Sequence, residues 1–172
     1  KPIQLEPKEG AESVNPFWDE FIQDCDGFGA DLNAFSRRLV VDSLLYGHAA
    51  MLVDHNAVEL PRSLAEERAL ALRPYFVGPI TADRILGWRK SADDPLAPVE
   101  LVRIHEFVEE AKGRFGIEVV EQIRVLYAGK YEIWREGENG WYLHADGETS
   151  LDQIPLCVTY SNKVAELVSK PP

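Results

Sequence analysis

The chain has 172 residues, 45% of them hydrophobic and 10% aromatic, which is enough apolar material for a real core and excludes a disordered segment. Its 18 Lys and Arg against 29 Asp and Glu give a formal charge of −11, which repels a phosphate backbone and excludes a nucleic-acid grip by this chain acting alone. No apolar run approaches the roughly 20 residues of a membrane span and no signal peptide is visible, so the chain is expected to be soluble and intracellular at synthesis.

Residues 1–16 are polar and aperiodic and are expected to form an extended arm. The remainder, 17–172, reads as a single α+β domain, helical over 17–90 and β-rich over 99–160, excised from a larger protein. Phe17, Trp18, Phe21 and Ile22 recur at helical spacing and stop before a turn cluster at 24–29. Asp31 is placed to cap a second helix and Gly47 to end it. Leu32, Phe35, Leu39 and Tyr46, flanked by Val40 and Leu44, predict a wide buried stripe on that helix, with Arg37 and Arg38 on its other side.

A short apolar strand over 49–54 follows. Ser63 with Glu66 three residues on completes a capping box for a surface helix over 61–72. Arg73-Pro74 forces an extended entry, so a strand is expected at 75–77, then one helical turn from Thr81, stopped by Gly87, with Trp88 opening the next strand. Segments 99–108, 117–127, 130–135 and 141–144 read as strands of a half-exposed antiparallel meander, and Asn139-Gly140 is a hairpin turn signal. Ile117, Val119, Ile123, Val125 and Tyr127 share one face of the second of these strands; Glu118, Gln122 and Arg124 share the other.

The candidate chemistry is sparse. Asp24, Asp26 and Gly27 imitate the middle of a calcium loop, yet in that register the first ligand position is Ile22 and the twelfth Asn33, so a plain turn feeding the Asp31 cap is the better reading. Asp54, His55, His48, His105 and Glu106 could form a metal or acid–base cluster only if neighbours in a strand shared a face, and they point to opposite faces. Nucleotide-binding and nucleophile-elbow motifs are absent, and no catalytic residue, metal or cofactor is expected. Cys25 sits beside two aspartates, which makes it a poor nucleophile. Cys25 and Cys157 allow a bridge; two buried, reduced thiols is the preferred reading. Of the four tryptophans, Trp18, Trp88, Trp134 and Trp141, the last two flank the Asn139-Gly140 turn and are expected to pair across it, as core or hairpin clamp.

Four segments carry a family resemblance: R-P-Y-F-V-G-P-I-T-A-D-R-I-L-G-W-R at 73–89, D-G-F-G-A-D-L-N-A-F at 26–35, L-L-Y-G-H-A-A-M-L-V-D at 44–54, and R-V-L-Y-A-G-K-Y-E-I-W-R at 124–135. In linked order, over 24–172, they resemble the N-terminal and wing region of tailed-phage or prophage portal proteins, in a group known only as a domain of unknown function. The resemblance implies a virion structural protein. It would be part of a ring, usually of twelve subunits, at the capsid's portal vertex, present in host cytoplasm before assembly, and conducting DNA during packaging and ejection. It implies no catalytic role. The regions that line the DNA path and meet the terminase and capsid would lie outside this chain. Arg37, Arg38 and Arg84 are the basic positions expected at inter-subunit contacts. The rival readings are a self-contained phage adaptor or protein-binding module, and an enzyme of unrecognised type built on Asp54, His55 and His105.

Overall fold

Local capping sets the first framework of the chain. The computed structural model describes residues 16–55, 63, 73–90, 98–149 and 151–161. Helix α1 (Pro16–Gln23) opens on a proline, whose fixed φ suits a first helical position. Helix α2 (Leu32–Tyr46) is capped by Asp31, whose carboxylate accepts from the Ala34 amide at 2.7 Å, and ends at Gly47 with φ 84°. The positive φ at Gly47 turns the chain straight into strand β1 (His48–His55), and the Gly47 carbonyl accepts from both the Ser161 amide and the Ser161 hydroxyl. Strand β2 (Pro74–Thr81) follows, then a 3-10 turn at Ala82–Arg84. The remaining strands are β3 (Ile85–Lys90), β4 (Val99–Lys112), β5 (Gly116–Tyr127), β6 (Lys130–Gly137), β7 (Gly140–Glu148) and β8 (Leu156–Tyr160). The fold is α+β, with N-terminal helices followed by an antiparallel β-meander.

These elements divide into two units, Lys1–Thr81 with Leu156–Asn162, and Ala82–Pro155 with Lys163–Pro172. The first holds α1, α2 and a three-stranded antiparallel sheet in the order β2-β1-β8. Its core is aromatic. Phe21, Cys25 and Phe35 are buried, with Phe17, Leu32, Met51 and Phe76 packed around them. The Phe76 ring lies 5.0 Å from Phe21 and 5.3 Å from Phe35, so one strand residue locks both helices to the sheet. The Phe76 amide also donates to the Cys25 carbonyl at 2.7 Å. The β1–β2 ladder slips by one residue near Ala50, and Gly78, at φ 136°, faces that slip. A Cβ there would stand 3.1 Å from the Ala50 carbonyl oxygen, so only glycine fits.

The second unit is a five-stranded antiparallel sheet, β3-β4-β5-β6-β7, with the 3-10 turn as its only helical element among the described residues. Alternation along the strands gives it two faces. One carries Ile85, Val102, Ile104, Leu126 and Ile133, all buried. The other carries Val125, buried, beside Ile123, Trp134 and Tyr127. Towards the β4–β5 turn both strands outrun their neighbours, and burial fades to full exposure.

Several sequence expectations change here. Within 17–90, helix stops at Tyr46 among the described residues apart from the 3-10 turn; the rest is strand, because β-branched and apolar residues there find ladder partners in the sheets. Gly87 does not end a turn but lies inside β3, where a Cβ would meet the Arg103 guanidinium at 3.1 Å. Only Phe35, Leu39 and Ser43 are buried along α2, while Val40, Leu44 and Tyr46 of the expected stripe are exposed. Trp134 stands opposite Leu143 and Trp141 opposite Glu136, because the two-residue turn at 138–139 pairs Gly137 with Gly140 and fixes the register from there; the two tryptophans are not directly opposed. Cys25 is buried and Cys157 is exposed, both as free thiols. β8 was not anticipated as a strand. The arm at 1–15 and the helix proposed over 61–72, apart from Ser63, lie outside the described residues.

Candidate functional site

The turn between α1 and α2 spends its carboxylates on its own backbone. Asp26 accepts from the Phe28 and Ala30 amides at 2.9 and 3.1 Å, and Asp24 accepts from the Gly29 amide at 2.9 Å. The Arg73 guanidinium grips the Asp24 carbonyl and carboxylate. The Gly29 amide, with Arg73 adding its charge, holds the Asp24 carboxyl below the ordinary aspartate value. This is a folded turn tied to the strand that follows, with the geometry of a cap rather than of a cation loop.

Cys25 is enclosed by the same turn. Burial first, then the charges of Asp26, Asp24 and Asp31, push its thiol up to about 11, so it is protonated and inert at neutral pH. The sequence indicated the direction through the aspartates; the larger cause, burial, belongs to the tertiary structure.

The histidines go their separate ways. Asp54 accepts from the backbone amide of His55 at 2.8 Å. His48 stands opposite Tyr160 in the β1–β8 ladder, their rings 5.8 Å apart, and burial raises the Tyr160 hydroxyl above its ordinary value. His105 bonds Glu121 at 2.7 Å and lies 4.7 Å from the Phe107 ring, while the adjacent Glu106 points to the opposite face, as strand alternation requires. Among the described residues no three His, Cys, Asp or Glu side chains come together in a way that could hold a metal ion.

The three arginines picked out by sequence have distinct settings. Arg37 and Arg38 are exposed on α2, Arg38 lying 3.8 Å from Asp42 one turn on. Arg84, at the 3-10 turn of the second unit, places its guanidinium 5.6 Å from the Phe107 ring centroid, a cation–π contact on the sheet face that also carries His105 and Glu121.

A polar ladder crosses the centre of the meander on the opposite face. The Gln122 amide nitrogen donates to Glu106 at 2.9 Å, and Arg124 Nε donates to the other Glu106 oxygen at 2.8 Å. Arg135 donates to the Gln122 oxygen through Nε and Nη2 at 3.2 and 3.1 Å, and through Nη2 to Glu110 at 2.7 Å. Gln122 and Arg135 are buried, so each needs every one of these bonds. The Arg135 bond holds the Glu110 carboxyl below its ordinary value. Sequence reasoning assigned Gln122 and Arg124 to a polar face but missed the connection, because Arg135 joins it only once β5 and β6 are in register.

Among the described residues, exposed apolar side chains cluster on α2 and on the β4–β5 hairpin. On α2, Val40, Val41, Leu44, Leu45 and Tyr46 form a continuous run, with Leu44 and Leu45 at 66% and 73% exposure. At the outer end of the β4–β5 hairpin, Phe107, Phe115, Ile117 and Val119 are exposed, Phe115 at 90%. Trp18 and Trp141 are each nearly half exposed. No family model matches the chain, and no curated protein matches it. No helix among the described residues is long and apolar enough to cross a membrane.

Proposed function

We propose that this chain is a structural protein, the wing-like region of a tailed-phage or prophage portal. In that reading it packs against copies of itself in a ring that conducts DNA during packaging and ejection, and it carries out no catalytic step. The observation that supports the reading is the uncovered apolar surface on regular elements, the α2 run and the β4–β5 hairpin end. Isolated exposed apolar residues are ordinary, but contiguous ones on a helix and a long hairpin fit surfaces that a neighbouring subunit covers. The linked order of the resembling segments supplies the particular family. Arg37, Arg38 and Arg84 border these surfaces as ion-pair partners for a neighbour's acidic patches. With a formal charge of −11, the chain would stand away from the DNA rather than line its path.

A second reading, an adaptor or binding module, draws on the half-exposed Trp18 and Trp141, residue types enriched in partner interfaces. Negative-stain electron microscopy of the intact gene product, purified without other phage proteins, separates the two. Rings with a central channel support the portal reading; uniform small particles overturn it and favour the adaptor.

A further inference from the structure

The sheet of the first unit has two edge strands, β2 and β8, and they are finished differently. The β2 edge is closed. Pro74 and Pro79 have no amide to offer, and the Phe76 amide is taken by the Cys25 carbonyl at 2.7 Å, outside the β1 ladder. The β8 edge is open. The Ser161 amide donates to the Gly47 carbonyl, and bonded pairs alternate in an antiparallel ladder, so Thr159 and Cys157 also turn their backbone groups to β1. Leu156, Val158 and Tyr160 turn theirs outward, and among the described residues no backbone group of another element bonds them.

Exposed edges are ordinarily guarded by charge, proline or a bulge. In the second unit β3 ends on Arg89 and Lys90, β7 carries Asp146 and Glu148, and both ladders slip. β8 has none of these guards. It reads L-C-V-T-Y, residue types that favour strands, and its ladder with β1 runs without a slip. Such an edge takes an added strand through main-chain bonds. The strand that fits is uncharged, has an amide at every position and has a free edge of its own. Of the edge strands β2, β3, β7 and β8, the first carries proline and the next two carry charge, so β8 alone meets that description.

We propose that β8 pairs antiparallel with β8 of a second copy, joining two first-unit sheets into one. A two-fold axis at Val158 aligns both strands throughout. Leu156 then faces the partner's Tyr160, and Val158 faces the partner's Val158, each pair exchanging both backbone bonds; Cys157 faces the partner's Thr159. The contact is isologous and closes at two copies. It goes beyond the ring reading, which rests on the α2 run and the hairpin end, and uses neither surface.

Backbone and cross-linking variants test it. Val158→Pro removes the outward amide at the axis without touching the β1 ladder, and Val158→Thr keeps that amide. Both are compared with the parent chain by sedimentation velocity over a concentration series in about 0.15 M salt, where a screening length of about 8 Å mutes the −11 charge of each chain. The parent is expected to dimerise, Val158→Thr to match it, and Val158→Pro to lose at least about tenfold in association, since the bond is lost twice across the axis. Thr159→Cys sets a second thiol against the exposed Cys157 of the partner, and oxidation by copper phenanthroline should give far more covalent dimer than the parent yields. Circular dichroism checks each fold; if Val158→Pro does not fold, the cross-link decides. A parent that stays monomeric at every concentration overturns the proposal. So does a folded Val158→Pro chain that associates like the parent, or a Thr159→Cys chain that forms no more covalent dimer than the parent.

Discussion

The helix-backed sheet and the meander solve burial in different ways. In the first unit two helices close over β1 and β2, and four phenylalanines and Cys25 fill the space between. That cluster is closed by apolar contact alone, at about 25 cal/mol per Å² removed from water, although the outer side of α2 stays exposed. In the second unit the sheet has no α-helix to cover it among the described residues, and part of its middle is held by ion pairs and an amide rather than by apolar contact. Such a ladder specifies register, since its bonds tie β4 to β5 and β5 to β6, and the Arg135–Glu110 bond forms only when all three strands are aligned, but it does little to bury the outer hairpin. The difference teaches how each unit holds itself: an aromatic core under an uncovered helix side in one, a register-locked sheet with an uncovered hairpin end in the other.

The largest effect should come from emptying the aromatic core. Phe76→Ala removes the ring shared by both helices and should cost about 3–5 kcal/mol, whereas Phe115→Ser at the exposed hairpin end should stay within about 0.5 kcal/mol. Urea denaturation of both variants reads the contrast; equal losses would break it. Next comes the ladder. Glu106→Ala strands Gln122 and Arg124 together and should cost about 2–4 kcal/mol, while Glu106→Gln, which keeps an acceptor, should recover part of that loss. Insensitivity of the melting curve to Glu106→Ala would show that the ladder contributes nothing.

Removing the α2 cap with Asp31→Ala should cost about 1 kcal/mol, measured the same way. Thiol chemistry gives a yes-or-no comparison: an aromatic disulfide reagent at pH 8 should titrate one thiol per native chain, Cys157, and both in denaturant, since Cys25 is buried and held protonated. Two fast thiols in the native protein would contradict the closed turn.

The smallest effect is on pH. Asp24, Glu110 and Glu132 are held below their ordinary values by the Gly29 amide, by Arg135 and by Lys130 respectively. Depressed carboxyl values mean that the folded protein binds protons less readily than the unfolded chain, so their contribution is fully present above the unfolded values of 3.8 for aspartate and 4.5 for glutamate. It is lost as pH falls through the lower folded values. Melting temperature should therefore be level from pH 7 to about 5 and decline below that; a rise on acidification would contradict the assignments.

Local signals carried most of what was legible. Asp31, Gly47 and the Asp24 and Asp26 turn each act within a few residues, so their chemistry is complete in the sequence, while the hairpin signal at Asn139-Gly140 marked the turn one residue late, its two turn residues being Glu138 and Asn139. The α2 stripe was misjudged because helical periodicity marks an apolar side without saying whether anything lies against it; Leu44 and Tyr46 are on regular helix and still exposed. The tryptophan pairing failed on register: the turn pairs Gly137 with Gly140, which puts Trp141 opposite Glu136 and Trp134 opposite Leu143. Strand β8, L-C-V-T-Y, was overlooked although its residues favour strands, because five residues are too few for a periodic signal and its place is set by pairing with β1.

By itself, then, the sequence determined the α+β class, the ends of α2, the turn between the two helices and the acidic balance, all set by short-range sterics, capping and composition. Tertiary structure alone decided the rest. It placed Phe76 between two helices, joined Arg135 to Gln122 and Glu110, buried Cys25 and exposed Cys157, and set β3 and β7 at opposite edges of one sheet. Those facts depend on which strands pair and in what register, and pairing is decided by the sum of many distant contacts rather than by any one segment.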